Sequence, residues 1–152
     1  MTRAALLLAA AGLAAFGCGG SPTSPSPAPL RLTVVQNPTF TADSLSFTLV
    51  LENISQAAVD LTFPSSCDVL PYFADRNGRD VTPAAGGFAC LTVITRRKLQ
   101  PGETVLRAIT VKGGTAPDGQ LIVLPAGDYV VYARLLDSEF KLQSARVPFS
   151  LR

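Results

Sequence analysis

From Leu30 to the end of the chain, apolar residues recur at every second position far more regularly than at every third or fourth. Leu45, Phe47, Leu49 and Leu51 share one face of an extended segment and Ser46, Thr48 and Glu52 the other, with Val50 as the exception. Successive side chains of a strand point to opposite faces, so this alternation marks a strand with one buried face. Val59, Leu61 and Phe63 repeat it against Asp60 and Thr62, and Tyr129, Val131, Ala133 and Leu135 share a face of a later segment. Strands are expected at 30–35, 45–52, 59–63, 69–74, 90–99, 105–111, 121–124, 128–136 and 144–151.

Turn residues punctuate these segments. Asn53-Ile54-Ser55-Gln56, Pro64-Ser65-Ser66 and Gln100-Pro101-Gly102-Glu103 each end a strand, and 113–119 reads as a long polar loop. Asn77-Gly78 predicts a hairpin, because both residues tolerate positive φ, with 80–82 returning from it. Leu124-Pro125-Ala126-Gly127-Asp128-Tyr129 delivers a tyrosine to the start of an apolar strand. In sandwich folds such a tyrosine folds over the corner and bonds upstream backbone. Short strands at this spacing, with no sustained helical period, predict an all-β fold, an immunoglobulin-like antiparallel two-sheet sandwich.

Composition narrows the chemistry. The 152 residues include no His and no Trp, and three Cys. Without His there is no Ser-His or Cys-His relay and no His-ligated metal. Charged residues are 16% and the net charge is +2, too balanced for a nucleic-acid binder.

The first residues read differently from the rest. Arg3 precedes an apolar run from residue 4 to 16 that is shorter than the about 20 residues a bilayer span needs but suits a signal-peptide core. Ala15-Phe16-Gly17-Cys18 resembles a bacterial lipobox, in which the cysteine is acylated and becomes the mature N-terminus; the alternative is an ordinary secretory signal cut near Gly17 or Gly20. The next stretch, GGSPTSPSPAP, holds four of the twelve prolines and is a stiff spacer. The expected organisation is therefore a lipoprotein signal peptide at 1–17, a lipidated Cys18 with a Pro/Ser-rich tether at 18–29, and a sandwich at 30–152. This places the domain in the bacterial cell envelope, outside the cytoplasm, with the membrane as a partner through acylated Cys18. With Cys18 assigned to lipid, Cys67 and Cys90 remain as an even pair too widely spaced for a CxxC site, so a disulfide is expected; two separate buried thiols are the alternative.

Several ordered features together carry a family resemblance. They are the strand 45–52 followed by Asn53-Ile54-Ser55; the run Val59–Phe63 leading to a Ser-rich break; Tyr72-Phe73-Ala74-Asp75 with Asn77-Gly78-Arg79-Asp80-Val81; Leu99-Gln100-Pro101-Gly102-Glu103; and Leu124-Pro125-Ala126-Gly127-Asp128-Tyr129. In this order they resemble the bacterial intracellular proteinase inhibitor family, the BsuPI-type domain. The resemblance implies an immunoglobulin-like sandwich whose founding activity is inhibition of a subtilisin-type serine proteinase, and hence a protein partner. The alternative is a structural or adhesive envelope module without inhibitory activity.

An inhibitor needs a rigid loop, since rigidity lowers the entropy cost of binding. Pro64, Ser65, Ser66, Asp68, Val69 and Leu70, stiffened by Pro64 and Cys67, form the candidate partner-binding loop; a plain staple at the sandwich rim is the alternative. In Arg96-Arg97-Lys98, strand alternation puts Arg96 and Lys98 on one face and Arg97 on the other, as on a solvated edge. Asp118, Asp128, Asp137 and Glu139 lack the spacing of a calcium loop. Ser65 and Ser66 have no base to activate them. No catalytic residue, metal or cofactor is expected, and the chain reads as a non-enzyme.

Overall fold

The computed structural model describes residues 28–37, 44–83, 88, 90–113 and 122–152. The expected signal peptide at 1–17 and Cys18 lie outside these, and of the tether only Ala28 and Pro29 lie within. Among the described residues there is no helix, and nine strands appear: β1 (Leu30–Gln36), β2 (Ser44–Asn53), β3 (Val59–Phe63), β4 (Val69–Asp75), β5 (Thr95–Leu99), β6 (Thr104–Gly113), β7 (Ile122–Leu124), β8 (Gly127–Leu135) and β9 (Val147–Leu151). One sheet has the order β1-β2-β6-β7, a second β4-β8-β9, and β3 pairs β5 in a two-stranded ribbon. The all-β sandwich expected from period two is thus the fold.

The alternating faces meet between the sheets. Phe47, Leu49 and Leu51 of β2, Ile109 and Val111 of β6, Phe73 of β4, and Val131, Ala133 and Leu135 of β8 are buried in one cluster with Val59, Leu61, Phe63 and Leu99 of the ribbon. Phe149 of β9 links the layers: its ring lies 5.2 Å from Phe47 across the core, 6.1 Å from Phe73 and 5.6 Å from Tyr129. Burying a side chain of this kind contributes about 1.5–3 kcal/mol. The tyrosine corner forms as expected, with the Tyr129 hydroxyl donating to the Pro125 carbonyl at 2.8 Å. A Cβ on Gly127 would stand 3.2 Å from that hydroxyl and 3.3 Å from ring atom Cε2, so glycine lets the ring fold back. On the outer face Arg134 covers Tyr72 at 4.5 Å and Tyr132 at 5.3 Å, which explains why outward-pointing Tyr132 is buried.

The Asn77-Gly78 hairpin and the return through 80–82 form as expected, with local detail of their own, and two other local expectations are corrected. In the Asn77-Gly78 turn only Gly78 has positive φ (80°), and the Gly78 N–H donates to the Asp75 carbonyl at 2.9 Å. Asp75 Oδ1 also accepts the N–H groups of Asn77 and Arg79, so a carboxylate organises a longer turn in place of a two-residue one. The returning segment 80–82 makes an isolated bridge at Ala74↔Asp80 rather than a strand, and Pro83, which lacks an N–H, follows at once. β7 runs parallel to β6, with Val111↔Ile122 and Gly113↔Leu124, where an antiparallel return was expected. A two-residue hairpin loop joins only antiparallel strands, and the sequence separation of β6 and β7 is wider than that. Finally, β5 begins at Thr95 and β9 at Val147, later than the periodicity implied.

Candidate functional site

The segment missing from β5 is held at one rim of the sandwich. β3 ends at Phe63, and Pro64, Ser65 and Ser66 lead to Cys67, which is disulfide-bonded to Cys90 with 5.4 Å between Cα atoms. Ser65 Oγ accepts the Cys67 N–H at 3.2 Å and shapes the loop. Ser66 grips the segment before β5 twice: its N–H donates to the Leu91 carbonyl at 3.0 Å, and its Oγ accepts the Leu91 N–H at 2.8 Å. Thr95 Oγ1 then donates to the Ser65 carbonyl at 2.9 Å. The segment between Leu91 and Thr95 is therefore clamped at both ends. The Val93 N–H donates back to the Leu91 carbonyl at 2.8 Å, closing a three-residue turn about Thr92. Leu91 is 68% exposed, Ile94 65% and Val93 48%, so apolar side chains stand in solvent on a covalently anchored arch. Phe88 borders it, beside a cleft of about 240 Å³ lined also by Cys67, Val69, Arg107 and Ile109.

The six residues of the expected partner-binding loop divide. Pro64 and Ser66 are exposed and Ser65 half-buried, whereas Asp68 and Val69 are buried and Leu70, in β4, is half-buried. Asp68 is spent internally. Its Oδ1 accepts the Val69 N–H at 2.8 Å and Arg107 Nε at 3.0 Å, and its Oδ2 accepts Arg107 Nη2 at 2.7 Å. Arg97 Nη1 adds a contact at 3.5 Å. The two guanidinium groups reach it because β6 and β5 place Arg107 and Arg97 on core-facing positions, opposite Leu49 and Leu61. This fork ties the start of β4 to β5 and β6, strands of the two other sheets.

The basic triplet behaves as alternation required. Arg97 turns inward to Asp68, while Lys98 pairs Asp60 across the ribbon at 3.2 Å on the solvent face, a contact of small energetic value. Asp137 is buried with Oδ1 accepting the N–H groups of Glu139 and Phe140 and Oδ2 that of Thr62, and Asp128 accepts the Ser150 hydroxyl at 2.7 Å. Among the described residues no three of His, Cys, Asp and Glu gather where they could hold a metal. Asp80 has its pKa lowered, first by the Thr82 hydroxyl, then by the Thr82 N–H, with Arg134 adding to both.

Sequence reasoning missed Leu91, Val93 and Ile94 as surface residues, having read 90–99 as one strand. The available signal was two adjacent apolar residues, Val93-Ile94, which break the alternation just after a cysteine.

An all-β sandwich with a disulfide-stapled rim is the class that fold and site define. The chain belongs to the family described as BsuPI, intracellular proteinase inhibitor, whose features match residues 32–140. No curated protein matches the chain. Among solved structures it is similar to a β-glucosidase from Erythrobacter marinus (18% identity, 81% of this chain and 15% of that one, TM-score 0.40). A β-glucosidase from Kluyveromyces marxianus (16%, 80% and 14%, 0.40) and β-glucuronidase 2 from Bacteroides uniformis (14%, 80% and 13%, 0.38) are also similar. The chain thus spans a small fraction of those enzymes, and at these scores the likeness carries no argument.

Family membership corrects one expectation. The family is described as intracellular, which contradicts a domain held in the cell envelope outside the cytoplasm, and that localisation is withdrawn. It rested on residues 1–29, whereas the family match begins at Leu32, beyond the segment read as an address.

Proposed function

We propose that this domain inhibits a serine proteinase of the subtilisin type by lodging its disulfide rim in the proteinase's cleft, without catalysing any reaction itself. Membership of a proteinase inhibitor family supports the activity. The observation that carries the choice of site is the arch from Leu91 to Ile94, apolar, exposed and clamped by Cys90, Ser66 and Thr95. Exposed apolar side chains on a preorganised segment are what tight binding asks for: they gain from burial, and the segment has little conformational freedom left to lose. Pro64, Ser65 and Ser66 form the supporting wall of the same rim, and Asp68 holds that wall to the sandwich.

The test is titration of subtilisin with the full chain, read by hydrolysis of a chromogenic peptide. Nanomolar suppression is the expected outcome. Full activity of the proteinase in micromolar excess of the chain would refute the reading and leave a binding module without inhibitory activity.

A further inference from the structure

The exposed apolar residues of the rim differ in what their backbone groups are doing. Leu91 has the most exposed side chain, but its carbonyl already accepts the N–H groups of Ser66 and Val93 and its N–H is given to Ser66 Oγ. A carbonyl so occupied is not free for the oxyanion donors of a serine proteinase, which must meet it at close hydrogen-bond distance. Val93 has committed its N–H to the turn. Among the described residues, Thr92 and Ile94 alone in this arch leave both backbone groups without a hydrogen bond. Proteinase clefts receive a bound segment by strand-like backbone pairing, with side-chain pockets supplying specificity. Ile94 combines free backbone groups, an exposed side chain and a fixed neighbour, since Thr95 is pinned to the Ser65 carbonyl and enters β5 opposite Phe63.

We propose that Ile94 is the specificity-determining residue of the rim, filling the primary pocket of the target, and that the target is a serine proteinase accepting a branched aliphatic side chain there. This rests on the inhibitor reading above. The basic residues that follow do not compete for the role: Arg96 lies within the paired ribbon opposite Thr62, and Arg97 is engaged with Asp68. The clamps also explain how the segment is presented without collapse onto the core. Leu91 and Thr95 are fixed to the Ser65-Ser66 wall on either side of Ile94, whose side chain stands in solvent.

The full chain carrying Ile94→Arg, with Leu91→Arg and Ile94→Val as companions, is assayed against both subtilisin and trypsin. Thermal midpoints are compared to show that each variant folds; a solvent-facing substitution should leave them unchanged. Ile94→Arg should weaken inhibition of subtilisin by about 100-fold or more and acquire inhibition of trypsin, whose pocket takes a basic side chain. Ile94→Val should stay within about tenfold of the natural chain, the range expected for one methylene. Leu91→Arg should weaken inhibition of subtilisin by less than Ile94→Arg does, because it removes one flanking apolar contact of the arch, and should gain no inhibition of trypsin. If the natural chain inhibits subtilisin and Ile94→Arg inhibits it equally with no gain on trypsin, this assignment is wrong and the inhibitor reading stands. If Leu91→Arg is the variant that switches, the pocket residue is Leu91. If the natural chain inhibits neither proteinase, the inhibitor reading falls and the assignment with it.

Discussion

The two ends of the β3–β5 ribbon are built on opposite plans. At the Val59↔Leu99 end, Asn53 is fully buried and completely satisfied: its Nδ2 donates to the carbonyls of Ala57 at 2.8 Å and Leu99 at 2.9 Å, and its Oδ1 accepts the N–H and hydroxyl of Ser55. Its backbone N–H goes to Glu103 and its carbonyl accepts from Gly102, whose φ of 74° lets the turn close. At the Phe63↔Thr95 end, one covalent bond and three hydrogen bonds hold an arch whose apolar side chains face water and whose Thr92 and Ile94 backbone groups have no partner among the described residues. The same ribbon thus ends once in a closed polar network and once in a stapled, unsatisfied surface. On the inhibitor reading proposed above, the open end is the one that a partner would cover.

The staple is the first place to break that contrast. Replacing Cys67 and Cys90 together by Ser removes a cross-link whose chain-entropy contribution is about 3 kcal/mol for a loop of this size. The urea midpoint should fall accordingly, and inhibition should weaken because the arch regains freedom that binding must then remove. A lower midpoint with inhibition intact would show that Ser66 and Thr95 position the arch unaided. At the closed end Asn53→Ala should lower stability by about 2 kcal/mol, because the Leu99 carbonyl loses its side-chain donor and the Ala57 carbonyl keeps only the Ser55 hydroxyl. Inhibition by the folded fraction should be unchanged. A parallel loss of inhibition would mean that the two ends are mechanically coupled through β5.

How much of this was legible in the sequence follows from the range of each interaction. The strands of the sandwich and the Tyr129 corner came from local alternation and a local turn, both properties of neighbouring residues. The pairing of Cys67 with Cys90 came from parity, and the opposite orientations of Arg97 and Lys98 from the two-residue repeat. What could not be read is set by contacts distant along the chain. The fork of Arg97 and Arg107 on Asp68 joins three strands, so Asp68 looked like a loop residue available to a partner and is a buried anchor instead. The residues 91–94 looked like strand because they are apolar and β-branched; Ser66, arriving from another strand end, holds Leu91 away from the ribbon. Parallel pairing of β7 was equally invisible, because the residues that pair do not set the direction in which they pair.

Asp80 supplies the smallest effect and a control for the comparison, since it bridges Ala74 near the far end of β4 from the disulfide. The Thr82 hydroxyl and N–H, with help from Arg134, favour its ionised form and hold its pKa below the ordinary aspartate value. A folded pKa lower than the unfolded one means that the unfolded chain binds the proton more readily. The stabilisation is therefore complete above about pH 4 and is lost as pH falls through the lowered folded value. The group is exposed, so solvent screening keeps the effect small. Asp80→Asn should lie slightly below the natural chain in urea midpoint at neutral pH and converge with it in strong acid, while suppression of subtilisin remains the same for both. A midpoint gap that persists unchanged into strong acid would show that Thr82 stabilises the side chain through packing, not through its charge.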